Sequence, residues 1–396
     1  MSNNDIRIGV IGSAGRGAMA ANWHNPGQGS AVVAAMDISE RPLQHFRERI
    51  GAEAFTTTDH QELLARDDID AIAVMSPDFT HEDYVCDALA AGKHVFSEKP
   101  MAITTAGCDR MLQAWVDSDK QFMIGFNMRY MNLFRVMKDI VDSGVIGEPK
   151  VVWVRHFVGY GGDWYFHDWH GESAKSTSLL LQKASHDIDM IHWLTGQYTK
   201  RVSASGSLDF YGGDKPDDLR CDVCDEQGDC VEFNKGDETG SDTVRNQCVF
   251  RSGVDVEDNS VVMMELDGGI KATYMQCHFA STYCRNYTII GTEGQLENLD
   301  DTSQVVVKLR ERSKRWKNLA DQVYDVKPAR GGHGGADPVI CRDFLEMIRT
   351  GKRPIATPLA GRMSVATGCA ATESLRDGWR PRDIPALPDA LRHKVF

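Results

Sequence analysis

Ser97-Glu98-Lys99-Pro100 closes a short apolar run, His94 to Ser97. A lysine at the carboxyl end of a parallel strand stands where open α/β sheets bind their ligands. An ammonium held there hydrogen-bonds a carbinol oxygen and stabilises the alkoxide that develops as hydride leaves the carbon. Alone, a Glu-Lys-Pro tripeptide reads as a surface turn, so its place in the strand–helix alternation is what raises it. A second chemical feature opens the chain: the apolar run from Ile6 ends in Gly12, Ser13, Ala14, Gly15, Arg16 and Gly17. A buried strand feeding a glycine turn and a helix start offers free backbone N–H groups and a positive dipole end to a pyrophosphate. The Gly-x-Gly-x-x-Gly fingerprint is met as Gly12, Ala14 and Gly17, with alanine in the middle. Asp37 ends the next apolar run, Ala31 to Met36, about 20 residues on, where a carboxylate accepts hydrogen bonds from ribose hydroxyls. A 2′-phosphate would be repelled there, so NAD is expected over NADP, with Arg41 nearby as the counter-argument.

Between Tyr160 and Ser176 lie Trp164, Tyr165, His167, Asp168, Trp169 and His170. Aromatic faces suit the C–H surface of a sugar and polar neighbours reach its hydroxyls; packing between domains explains the same residues equally well. Asn127, Arg129 and Tyr130 follow the strand after Lys99 and are expected to face the same cleft. Arg129 with Lys183, or Arg155 with His156, would match a carboxylate or sulfonate. Gly331-Gly332-His333-Gly334-Gly335 is free enough in its backbone to close over a ligand, with His333 as the contact. Cys221-x-x-Cys224, Cys230 and Cys248 have the thiol count and close first pair of a structural zinc knuckle. The fourth ligand is open among Cys248, Cys277 and Cys284, and free thiols are the alternative.

A chain of 396 residues exceeds one hydrophobic core, which predicts two domains. Hydrophobic residues at 42% and charged residues at 26% describe an ordinary globular protein. With Lys plus Arg at 44 against Asp plus Glu at 57, and no long basic run, nucleic acid is not the expected partner. The start carries no secretory pattern and no segment suits a bilayer, so a cytoplasmic location without membrane contact is expected. Strand and helix alternate to Gly125, predicting a doubly wound parallel sheet over residues 1–126, the NAD-binding Rossmann domain. Residues 127–396 are expected to form an α+β domain with a large open, mainly antiparallel sheet, a cysteine-containing insertion at about 209–257, and C-terminal helices bracing both domains. A sheet face rich in Val, Met and Tyr is expected to pack on another subunit, giving a homo-oligomer, dimer or tetramer.

The ordered set Gly12 to Gly17, Asp37, Pro77…His81…Gly92-Lys93-His94-Val95…Glu98-Lys99-Pro100, Gly144-x-Ile146-Gly147-Glu148-Pro149 and His186-x-x-Asp189 resembles the glucose-fructose oxidoreductase, inositol dehydrogenase and rhizopine catabolism family (Gfo/Idh/MocA) over most of the chain. The resemblance implies NAD(P), hydride transfer on sugars or polyols, Lys99 in the role of the family's Glu-Lys-Pro lysine, and His186 as acid or base on the substrate hydroxyl. It places Ser76, Pro77, His81 and Glu98 with the cofactor and Asp189 with the substrate. One departure stands out: where many members carry aspartate four residues before that histidine, this chain has Gln182, followed by Lys183. Gln182 takes no proton. Lys183 therefore becomes a candidate second acid or base, or a ligand for an anionic substituent. Three functions follow: a sugar or glycoside dehydrogenase; a redox-neutral NAD-dependent glycosidase, as in the sulfoquinovosidase-like branch, acting by transient C3 oxidation; or a non-catalytic sugar or nucleotide sensor, against which Lys99 and His186 together speak.

Overall fold

The computed structural model describes residues 5–236, 245–299, 303–314, 318–327 and 329–395. The first sheet comprises β1 (Ile6–Ile11), β2 (Ser30–Met36), β3 (Phe55–Thr57), β4 (Ala71–Val74), β5 (His94–Ser97) and β6 (Phe122–Ile124). Its order is β3-β2-β1-β4-β5-β6, with every neighbouring pair parallel. This is the doubly wound dinucleotide-binding order, whose strand order reverses beside β1 and opens a crevice at the carboxyl ends of β1 and β4. The strands are near-continuous apolar runs because helices cover both faces, and Ile8, Val10, Ile72, Val74, Val95 and Phe96 are fully buried.

The second sheet comprises β7 (Pro149–Gly159), β8 (Thr199–Ser207), β9 (Asn259–Leu266), β10 (Lys271–Ala280), β11 (Cys284–Gly291), β12 (Gly294–Asn298), β13 (Gln304–Leu309), β14 (Gln322–Asp325) and β15 (Arg382–Asp383). These nine strands run in the order β14-β13-β12-β11-β7-β10-β9-β8-β15. Pairings are antiparallel except β7 with β10, so the sheet is mixed and mostly antiparallel, as expected. One face carries the helices Asn132–Asp142, Ala184–Thr195 and Pro358–Arg376. The other leaves Trp153 (48% exposed), Met263 (58%) and Val323 (54%) in solvent, joined by Val151, Val261, Met275 and Ile290.

The helices Ala336–Thr350 and Pro358–Arg376 return to the first sheet. The Trp23 indole donates to the Cys341 carbonyl at 3.0 Å. Fully buried Arg362 donates to Asp109 at 2.9 Å and to the carbonyls of Pro385 and Ala386. Both links cross between the first sheet's helices and the C-terminal end. The segment after the glycine turn, expected as a short helix, is a 3-10 helix, Gly15–Trp23. None of the described helices is long and apolar enough to cross a membrane.

Candidate active site

The glycine turn is set by backbone sterics. Gly12 has φ +86°, and a Cβ there would stand 2.7 Å from the Ser76 backbone nitrogen; at Gly17 it would stand 2.3 Å from the Gly12 carbonyl. Ala14 has ordinary extended backbone, φ −79° and ψ 168°, so its methyl is tolerated. Asp37 accepts from the Ser13 N–H at 2.9 Å and from the Ser39 N–H at 3.2 Å, fixing the turn to the end of β2. Turn, acidic residue and strand order together fit a dinucleotide. Arg16 leaves the turn sideways, pairing with Glu98 at 2.7 Å and with Asp337 at 2.8 Å. His333 joins this group, its Nδ1 standing 3.1 Å from Arg16 and 3.0 Å from Asp337. It therefore joins the tie between the glycine turn and the Gly-rich loop.

The β4 and β5 turns are locked together by His81, fully buried, whose ring nitrogens stand 2.9 Å from the Ser76 carbonyl and 2.8 Å from that of Pro100. Pro77 precedes the 3-10 turn Asp78–Thr80. Beyond Glu98, the Lys99 ammonium donates to the Gln182 carbonyl at 3.2 Å, so the lysine from the first sheet meets the start of the helix Ala184–Thr195. Burial pushes the Lys99 pKa down, while the charges of Asp78 and Glu98 oppose that and those of Arg285 and Arg16 add to it.

His186, on that helix, is 9% exposed and its Nδ1 has no hydrogen-bond partner. Burial and the positive charges of Lys99, Arg285 and Lys183 hold its pKa well below the usual imidazole range. Lys183 points inward, its ammonium 5.6 Å from the Tyr165 ring centre. Burial, Arg285 and Lys99 drive its pKa well below the ordinary lysine value. Lys99, Lys183 and His186 thus come together as expected.

Sequence reasoning missed what lies behind them. Asp187 is fully buried and accepts from Arg285 at 2.9 Å and from the Tyr287 hydroxyl, with His156 Nδ1 at 3.1 Å. Arg285 stands opposite His156 in the β11–β7 ladder, a neighbour relation that exists only once the strands pair. Arg285 carried no signal of its own, while Asp187 adjoins His186 of the recognised motif.

Several expected substrate contacts are placed elsewhere. Arg129 and Asp189 form a buried bidentate ion pair, 2.8 and 2.7 Å, and Arg129 also donates to the Ile355 carbonyl. The Tyr130 hydroxyl donates to Asp343. These three residues join the helix Ala184–Thr195 to the C-terminal segments, and their polar groups are already satisfied. Arg155 and His156 are adjacent on β7 and so project to opposite faces; Arg155 lies over Trp153 on the outer face while His156 is buried inside. They cannot grip one anion together. Asn127, 4% exposed, opens the turn after β6. Trp169 stacks on His170 at 3.7 Å and packs edge-on against Phe79, while Trp164 is 57% exposed.

Cys221, Cys224, Cys230 and Cys248 line one hollow with His167 and Glu232, and all are free thiols. Among the described residues, however, no group of three or more His, Cys, Asp or Glu side chains is arranged to hold a metal ion. Both His167 ring nitrogens face backbone carbonyls, those of Gln247 and Glu232, and so are not free to join a metal. The expected zinc has its ligands' neighbourhood and lacks their geometry; part of the insertion, residues 237–244, lies outside the described residues.

Fold and site define a two-domain oxidoreductase with a Rossmann cofactor domain. The chain belongs to the Gfo/Idh/MocA oxidoreductase family: its NAD-binding Rossmann-fold profile matches residues 6–126 and its C-terminal alpha/beta-domain profile residues 138–381. Myo-inositol 2-dehydrogenase of Thermotoga maritima is 25% identical over 379 residues, 94% of this chain and 97% of that protein. Inositol 2-dehydrogenase of Salmonella typhimurium is 32% identical over 198 residues, 50% of this chain and 55% of its own. Among solved structures, levoglucosan dehydrogenase in its apo form superposes with a TM-score of 0.78 at 19% identity, covering 97% of this chain and 100% of that one, which speaks to the fold.

Proposed function

We propose that this protein is an NAD-dependent dehydrogenase that oxidises a ring carbinol of a sugar or polyol. The observation that carries the reading is the meeting of the Lys99 ammonium, bound to the Gln182 carbonyl at the start of the helix Ala184–Thr195, with His186 on that helix, whose Nδ1 has no hydrogen-bond partner. NAD, held by the Gly12–Gly17 turn and Asp37, supplies the hydride acceptor. His186 takes the hydroxyl proton, and Lys99 donates to the same oxygen so that negative charge developing on it is stabilised. One C–H bond and one O–H bond break; the hydride leaves with both electrons and the proton goes to the imidazole. The inositol dehydrogenase relatives and the structural likeness to levoglucosan dehydrogenase support a cyclic polyol or sugar as substrate.

The test is NADH formation over a panel of cyclitols, neutral sugars, acidic sugars and aryl glycosides. Absorbance that rises with stoichiometric keto product supports the dehydrogenase. Aglycone release without net NADH, the cofactor staying bound, favours the redox-neutral glycosidase instead. No turnover with NAD bound returns the sensor.

Lys183 sharpens the substrate class. Asp187 is already shared among Arg285, His156 and Tyr287, so Lys183 keeps no carboxylate partner among the described residues. A substrate carboxylate would supply one and restore the proton that burial disfavours. Acidic sugars are expected to lose about 10-fold in kcat/KM in Lys183→Gln while neutral ones change little. Equal losses on both would remove the anionic reading.

We also propose that the open face bearing Trp153, Met263 and Val323 pairs with a second copy of the chain, since an apolar sheet face in water invites association. Light scattering is expected to show at least a dimer, and Trp153→Glu with Met263→Lys to shift it to monomer. A monomeric wild type would end this reading.

A further inference from the structure

The helix Ala184–Thr195 lies against the sheet face on which β7, β10 and β11 meet. His156 of β7 stands opposite both Gln276 of β10 and Arg285 of β11, and His278 follows Gln276 by two residues, so these side chains share that face. Four of their polar atoms have no hydrogen-bond partner among the described residues: Arg285 Nη2, His156 Nε2 and both ring nitrogens of His278. His156 and His278 are fully buried. Buried polar atoms are almost always paired, so orphans gathered on one face point to a polar ligand.

The helix brings the second cation. Lys183 precedes it and Asp187 lies one turn further on, on the same side. Asp187 reaches the sheet, where it accepts from Arg285 Nε at 2.9 Å and faces His156 Nδ1 at 3.1 Å. The Lys183 ammonium stands 5.6 Å from the centre of the Tyr165 ring, and the His278 ring packs edge-on against that same ring at 5.0 Å. Lys183, Arg285 and His278 therefore border one place. Asp187 supplies a single negative charge there and spends it on Arg285 Nε, His156 and Tyr287, so Arg285 Nη2 and Lys183 are left as donors in want of an acceptor. We infer that these two residues grip one carboxylate of the substrate between them, one oxygen on the Lys183 ammonium and the other on Arg285 Nη2. Arg285 is thereby a specificity-determining residue, and Asp187 holds its guanidinium in the orientation that the grip requires. A neutral substrate leaves both donors unpaired in a buried setting, which is what makes such a site selective.

This inference deepens the Lys183 reading above and rests on the dehydrogenase reading for its kinetic arm, while its binding arm needs no substrate. In the binding arm, crystals of the full-length protein are soaked in sodium bromide, and anomalous scattering is expected to place a bromide between Lys183 Nζ and Arg285 Nη2 that disappears in Lys183→Gln. Bromide found only at other places overturns the inference. In the kinetic arm, each acidic sugar of the panel is paired with its neutral counterpart, and wild type is expected to favour the acid by about 10-fold or more in kcat/KM. Arg285→Lys keeps a charge beside Asp187 and loses the second arm of the fork, so that preference is expected to fall about 10-fold, mainly through KM. Arg285→Gln serves if the lysine variant fails to fold. A wild type that prefers the neutral partner, or a preference that neither Arg285 variant moves, overturns the inference. If wild type turns over nothing on the panel, the dehydrogenase reading fails while the bromide density still decides whether Lys183 and Arg285 form an anion site.

Discussion

Lys99→Ala is expected to lower kcat by about 10³-fold, the range for one positioned proton-handling or oxyanion-stabilising group. NAD affinity is expected to stay within about threefold, because on the proposed reading the glycine turn and Asp37 hold the cofactor independently of the ammonium. The reasoning is geometric first. Lys99 is anchored by the Gln182 carbonyl at 3.2 Å, so its ammonium meets the substrate with little freedom left to lose. Burial then strengthens its action on a developing charge, since few solvent dipoles compete. Stopped-flow hydride transfer with a deuterated carbinol separates this chemical step from product release. A variant that keeps kcat within tenfold and melts like wild type would remove Lys99 from the chemistry.

Asp189→Asn is expected to leave catalysis in place and weaken the fold. Arg129 and Asp189 are 6% and 0% exposed and form two parallel hydrogen bonds. Removing one charge leaves the buried guanidinium without its counter-charge, a change that costs about 3–5 kcal/mol. Burial already raises the Asp189 pKa against the pull of Arg129, a sign of how costly the carboxylate is without its partner. Denaturant unfolding is expected to shift its midpoint downwards, with KM for substrate changed by less than about twofold at temperatures well below the transition. Arg129→Met/Asp189→Leu should recover much of the loss, because an apolar pair of similar volume needs no compensation. A rise in KM with unchanged stability would return both residues to the substrate site, where the sequence motif suggested they belonged.

That contrast shows which signals travel through sequence. The glycine turn, the strand–helix alternation and the Glu-Lys-Pro segment were legible because each is local: a tight turn needs glycine where a Cβ would meet the next strand, and a lysine two residues past a strand end is carried to the crevice by the strand itself. Gly12 and Gly17 are required by contacts within a few residues of the turn and at the neighbouring β4 end. His186 and Lys183 were legible as a departure from a motif, and the helix Ala184–Thr195 does bring both beside Lys99.

What stayed hidden is mostly pairing across long separations. Arg129 finds Asp189 and Ile355, His333 finds Arg16 from 317 positions away, and Arg285 finds Asp187 through the β11–β7 register. A charged residue of the right type beside the right strand is a ligand for substrate only if no other residue claims it first, and that claim is decided by packing. By itself the sequence determined the cofactor fold, the place of Lys99 just past the end of β5 and the helix that carries His186, because backbone sterics and period act over a few residues. Only the tertiary structure decided which charges are spent holding the two sheets together, as those of Arg129 and Asp189 are, and which, like Lys183, keep no carboxylate partner among the described residues, because burial makes every partner choice exclusive.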